Sequence, residues 1–229
     1  MNRRKRIFQM VLYLLVAALA VFGGCYVTGE RSSLWISLCA AVLACVPYFL
    51  RFERKSGDGG RLMLLAVLTA LSVLGRFAFS FVPFFKPVTA IVILTGVYLG
   101  RESGFLCGAM SALLSGFLFG QGPWTPFQMV AWGGIGLLGA LLAAPLKKHR
   151  IALLTFGAVA GVLYSFVMDI LTVLMADGSF QLQRYFVLLV AALPVTAVYV
   201  ASDVIFLLLL GKTVGEKLER VQIRYGWDR

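Results

Sequence analysis

KPVTAIVILTGVYLGRESGFLCGAMSALLSGFLFGQGPWTPFQMVAWGGIGLLGALL (Lys86–Leu142) decides the fold. Its only charges are Lys86 and the Arg101-Glu102 pair. Apolar runs over 87–100, 104–120 and 127–146 begin within it. Outside it lie further runs over 7–28, 33–50, 62–82, 151–175 and 185–211. A membrane-spanning helix needs about 20 apolar residues, and eight such segments use up most of the 229 residues. The composition agrees: 60% of residues are hydrophobic, only 14% are charged, and mean hydropathy is +0.90. The expected class is an all-α, polytopic integral membrane helical bundle. The longest polar stretches, 51–61 and 212–229, are too short to fold as domains. A soluble enzyme, a nucleotidase domain within the chain and an extracellular receptor head are thereby excluded. The runs lack the polar–apolar alternation of a β-barrel.

The net charge of +11 is explained by topology and calls for no nucleic-acid partner. With the N-terminus inside, seventeen of the 21 Lys and Arg fall on the cytoplasmic side. Arg31, Lys86 and Arg184 fall outside, and Arg76 lies within a span. This bias places both termini in the cytoplasm. The run 7–28 follows Arg3, Arg4, Lys5 and Arg6 but is longer than a signal-peptide core, so it reads as a retained helix. The polar loop RFERKSGDGGR (51–61) marks a boundary. The expected organisation is a two-helix extension (1–50), a basic linker (51–61), a six-helix core (62–211) and an amphipathic cytoplasmic tail (212–229). Cys25, Cys39, Cys45 and Cys107 sit in apolar runs and read as packing residues.

Small residues recur at every fourth position in the fifth run: Gly104, Gly108, Ala112, Gly116 and Gly120. Gly157 and Gly161 do the same in the seventh. Such stripes let helix backbones approach within lipid, and intramolecular packing is the expected use. Three ionisable residues lie inside spans: Arg76, Asp169 and Asp203. Such groups default to functional hypotheses. Arg76 and Asp169 lie at similar depth, either pairing with each other or contacting a ligand; Asp203 lies nearer the cytoplasmic end.

The least regular stretch is FGQGPWTPFQMVAW (Phe119–Trp132), broken by Gly120, Gly122, Pro123 and Pro126. A second outer stretch, SFVPFFKPVTA (80–90), is rich in Pro and Phe. Rigid aromatic loops over a bundle suit the wall of a ligand pocket; the other reading is an interfacial aromatic belt. The candidate pocket residues are Phe84, Phe85, Gln121, Trp124, Thr125, Gln128 and Trp132. Arg76, Asp169, Gln181 and Arg184 stand at similar depth behind them. Aromatic rings would cover flat apolar surface, and amides would hydrogen-bond polar substituents. No metal or active site is indicated: His149 is the lone histidine, and Gly211-Lys212-Thr213 lacks the rest of a phosphate-binding loop.

Lys86–Leu142, and FGQGPWTPFQM within it most of all, resembles the substrate-binding S components of energy-coupling factor (ECF) transporters, in particular those assigned to cobalamin. The resemblance implies a subunit of the bacterial cell membrane that binds a vitamin, here cobalamin or a related corrinoid, from outside. It implies partners, a transmembrane coupling protein and two cytoplasmic ATPases, with ATP used by those subunits and no cofactor of this chain's own. It also implies that Ala66 and Ala70, an Ala-x-x-x-Ala pair, contact the coupling protein. Riboflavin and a queuosine precursor are alternatives within the family. Outside it, an autonomous secondary transporter or channel is the rival, although the internal repeats such transporters use are not evident.

Overall fold

The computed structural model describes residues 42, 43, 45–48 and 59–225. Most of the expected N-terminal helix pair, with the signal-like run, Cys25 and Cys39, lies outside the described residues, as do the last four residues of the tail. The described chain is an all-helical, multi-pass membrane bundle. Its helices are α1 (Gly59–Ala78), α2 (Val88–Leu99), α3 (Arg101–Phe119), α4 (Trp124–Leu141), α5 (Ala143–Lys148), α6 (Arg150–Asp177), α7 (Leu182–Ala191) and α8 (Leu193–Tyr225). α1, α3, α6 and α8 are long and apolar enough to cross a membrane. The apolar run 127–146 covers α4 and α5, and 185–211 divides at Ala192 into α7 and α8. α8 then continues without interruption through most of the expected tail.

α2 is the central post. It is apolar on every side, as a fully buried helix must be, and all but one of its twelve residues are buried. At about 18 Å long it is shorter than the ~30 Å hydrocarbon core. It owes its position to α1, α3, α4, α5, α6 and α8, which all pack against it.

Glycine sets how closely that sheath closes. A Cβ at Gly96 would lie 2.0 Å from the Gly136 carbonyl oxygen, and one at Gly108 would lie 2.4 Å from the Trp132 carbonyl carbon. α2, α3 and α4 thus meet backbone to backbone. The stripe expected from the fifth run splits by role. Gly104 and Gly108 face α4, Gly116 faces the Gln121 side chain, and Gly120 ends α3 at φ 92°. Gly157 and Gly161 bring α6 against α8 at Leu207 and Val200.

Polar contacts fasten the two ends of the bundle. At one end the α2–α3 reversal turns on Gly100 at φ 90°. There Arg61 donates to the Leu99 carbonyl and Gln222 to the Tyr98 carbonyl, tying α1 and the end of α8 to it. Lys147 Nζ donates to Gln222 Oε1 at 3.2 Å and lies 4.7 Å from the centre of the Tyr98 ring. At the other end is the α1–α2 loop, residues 79–87. Residues 42–48 include buried Cys45 and Tyr48, and Tyr48 stacks on Phe105 of α3 at 3.8 Å.

Candidate functional site

The described chain encloses a cavity of about 180 Å³ beside the α1–α2 loop. Its lining comes from Arg76 of α1, Phe84 and Lys86 of the loop, Val88 and Thr89 of α2, Gln128 and Trp132 of α4, Tyr164 of α6, and Tyr199 and Asp203 of α8. Five helices and a loop converge because α2 is short: its first residues reach the cavity floor, and longer neighbours rise around it.

One wall is aromatic. Trp132 and Tyr164 stack nearly parallel, 4.9 Å apart at 13°. Tyr199 meets Tyr164 edge-on at 5.0 Å, and Phe84 meets Tyr199 edge-on at 5.7 Å. Offset-parallel and edge-to-face pairs are the favoured geometries for aromatic rings, so this wall is a fixed surface. Tyr199 and Asp203 are four residues apart on α8 and therefore share one helix face.

The charged groups are held separately. Arg76 is 8% exposed. One terminal nitrogen donates to Ser115 Oγ at 2.6 Å and to Gln128 Oε1 at 3.3 Å. The guanidinium also sits over the rings of Phe119 and Trp132, at 5.0 and 5.1 Å. The Ser115 hydroxyl passes the chain of bonds to the Ser111 carbonyl at 2.6 Å. Among the described residues neither Arg76 Nε nor Asp203 Oδ2 has a hydrogen-bond partner, and Asp203 is only 2% exposed. Orphaned buried polar atoms are costly, and both belong to residues that line the same cavity.

The loop over the cavity is pinned and strained. The Lys86 backbone N–H donates to Ser202 Oγ at 2.8 Å, and the Ser202 hydroxyl donates back to the Lys86 carbonyl at 3.0 Å. Two residues earlier, Phe84 holds φ at 63°, a left-handed conformation rare for bulky side chains. Such outliers persist where surrounding structure over-determines them, and they cluster at ligand clamps. Burial, and then the neighbouring Arg76 charge, lower the Lys86 ammonium pKa from its ordinary value.

Of the residues expected from sequence, Arg76, Phe84, Gln128 and Trp132 meet at this cavity. The others are placed elsewhere. Phe85 packs under the loop against Phe79 and Phe206. Gln121 and Thr125 spend their polar atoms closing the α3–α4 turn. Thr125 donates to Gln121 Oε1 at 2.8 Å, and Gln121 donates to the Leu113 carbonyl at 2.8 Å. Trp124 lies over Gly122 in the same turn. Asp169 forms no ion pair with Arg76 and does not line the cavity, so the pairing alternative is not the one found; Arg76 is held between α3 and α4. Gln181 precedes α7 and is exposed. Arg184 pairs with Asp177 at 3.0 Å. Arg184 is 53% exposed and Asp177 13%; screened from the Arg184 side, the pair is worth about 1 kcal/mol. Arg184→Ala is therefore expected to shift the melting temperature by only a degree or two and to leave ligand affinity unchanged.

Sequence reasoning missed Lys86, Thr89, Tyr164 and Tyr199 as lining residues and set Asp203 too far from the site. Its intramembrane charge was the available signal. The depth assigned to it came from taking 185–211 as one span, whereas the break at Ala192 resets the count along α8.

The family model for the S component of ECF-type riboflavin transporters matches residues 60–216. No curated protein and no solved structure matches the chain.

Proposed function

From the premise that this chain belongs to the S components of ECF-type transporters, we propose that it captures a flat heteroaromatic vitamin of the flavin class in the cavity between Trp132, Phe84 and Asp203. Transport subunits of this family are not enzymes. The observation that carries the proposal is the stacked Trp132–Tyr164 wall of a cavity lined wholly from within the matched span 60–216. The cavity's shape agrees with the family's substrate. A stacked Trp132–Tyr164 wall suits one face of a fused ring system. Gln128, Thr89 and Asp203 supply donors and acceptors for the ring's edge. At about 180 Å³, the cavity is below the ~300–1,000 Å³ usual for drug-sized ligands. It is of the scale of one fused ring system, with any substituent reaching past the loop. A corrinoid, the ligand expected from the sequence resemblance, is several times larger.

The bound vitamin enters from the outer face, with the Phe84–Lys86 loop as the lid. Delivery inward takes work that a binding subunit does not supply. In this reading an ECF module, with its coupling protein and two ATPases, supplies it. Ala66 and Ala70 are both exposed on α1, in a face that also exposes Met63, Val67 and Leu74. Small residues in such a face permit close helix contact in lipid, so this is the surface offered to the coupling protein.

The test is titration of the purified protein in detergent with riboflavin and cyanocobalamin, read by flavin fluorescence and calorimetry. Riboflavin is expected to bind one-to-one and lose its fluorescence on stacking at Trp132. Binding of cyanocobalamin without binding of riboflavin overturns the flavin assignment and restores the corrinoid. Uptake into liposomes by the isolated protein, without ATPases, overturns the dependence on partners.

A further inference from the structure

The cavity holds more positive charge than its own residues neutralise. Arg76 and Lys86 both line it, and Asp203 is the single carboxylate there. Neither cation forms an ion pair among the described residues. Among the described residues Arg76 hydrogen-bonds only the neutral acceptors Ser115 and Gln128, and its Nε has no hydrogen-bond partner. Lys86 Nζ has the face of Phe119 at 5.6 Å, the same ring that Arg76 covers from 5.0 Å. Two cations thus share one aromatic ring, and Arg76 is more than nine-tenths buried. Burying charge without a counter-charge is expensive, and leaving a donor unused adds to the cost. Burial first, and then repulsion from the Arg76 charge, lower the Lys86 pKa.

Resting on the flavin-class reading above, we propose that the natural occupant is an acid: a flat heteroaromatic carrying a carboxylate or phosphate, whose anionic oxygens sit between the Arg76 guanidinium and Lys86 Nζ. Asp203 opposes them within the same lining and selects for a donor on the ring. The anion supplies the acceptors that both cations lack, and the guanidinium geometry suits either oxyanion. Lys86 is the residue that tests charge without dismantling the site. It lies on the loop, half-buried, and its backbone contacts to Ser202 survive any change of side chain.

The experiment compares three probes on the same detergent-purified protein: riboflavin, which is neutral; 10-carboxymethylflavin, whose acid lies one carbon from the ring; and riboflavin 5′-phosphate, whose anion is at the end of the chain. At least one anionic flavin is expected to bind about ten-fold or more tighter than riboflavin, the scale of one charge-assisted contact. The better of the two identifies carboxylate near the ring or phosphate at a distance. Lys86→Met should bring the ratio of anionic-flavin to riboflavin affinity most of the way to one, whatever it does to each affinity separately. Lys86→Arg should retain it. Riboflavin binding as tightly as both acids, or a Lys86→Met loss equal for all three probes, overturns the acidic occupant and leaves the flavin reading standing. Failure of all three to bind folded protein overturns both.

Discussion

Gly136→Ala is expected to deprive the membrane of folded protein, although it adds a single methyl group. A Cβ there would lie 2.2 Å from the Gly104 carbonyl oxygen, 2.5 Å from its carbon and 2.9 Å from Val92. The obstruction is mainly backbone, so no side chain can rotate aside. Relief requires α3 and α4 to separate, which also opens the Gly108–Trp132 contact between the same two helices. Overpacking against side chains typically costs about 1–3 kcal/mol; against two backbones the loss should exceed ~3 kcal/mol. In lipid that loss is not offset by hydrophobic burial, because close packing is itself a main driving force. Gly134 is the control on the same helix, because a Cβ there meets nothing within 4 Å. Gly134→Ala should gain up to about 1 kcal/mol from helix propensity alone. Accumulation and melting temperature in detergent, followed by size-exclusion profile, separate the two. Equal melting temperatures for the two variants would refute the backbone-contact account of the core.

The class of fold was legible because the bilayer imposes one rule on every segment, and composition obeys it wherever one looks. The small-residue stripe was legible for a related reason: a four-residue repeat of Gly and Ala has few uses in a membrane helix other than close approach. Individual helix ends were harder. Ala192 separates α7 from α8, and Pro194, in the first turn of α8, marks the break, because proline has no N–H for the preceding turn; hydropathy passes over it, since 185–211 stays apolar throughout. The site was half legible. Phe84, Gln128 and Trp132 stand in irregular stretches and drew notice for that reason, and Arg76 did so as a charge in an apolar run. Gln121, Trp124 and Thr125 drew the same notice for a different cause, since a turn between two packed helices also needs rigid residues and amides. Sequence alone cannot separate a turn that closes a helix pair from one that faces a ligand. Tyr164 and Tyr199 gave no signal, being two aromatic residues among many in long apolar helices. Their importance comes from register across α6 and α8, set by Gly161 lying against Val200.

Trp132→Ala should cost about 100-fold in vitamin affinity, or ~2.7 kcal/mol, within the range for a buried aromatic anchor. Trp132 is 4% exposed, forms the stacked wall with Tyr164, and supports the Arg76 guanidinium from 5.1 Å. Its removal therefore takes away the surface that the ring lies on and loosens the cation beside it. A lost core side chain also destabilises the protein by about 3–5 kcal/mol, so a fall in affinity alone is ambiguous. Two variants resolve this. Trp132→Phe keeps a ring against Tyr164 and should lose only part of the affinity, about ten-fold, the scale of one weakened aromatic contact. Trp124→Ala removes a tryptophan of equal size from the α3–α4 turn, outside the cavity, and should leave affinity unchanged whatever it does to the melting temperature. Calorimetric titration of all three, each shown folded by its size-exclusion profile, ranks them. If Trp124→Ala loses as much affinity as Trp132→Ala, the ligand lies under the α3–α4 turn and the cavity beside Asp203 is not its seat. If Trp132→Phe binds no better than Trp132→Ala, the indole contributes through its own shape or N–H rather than through stacking.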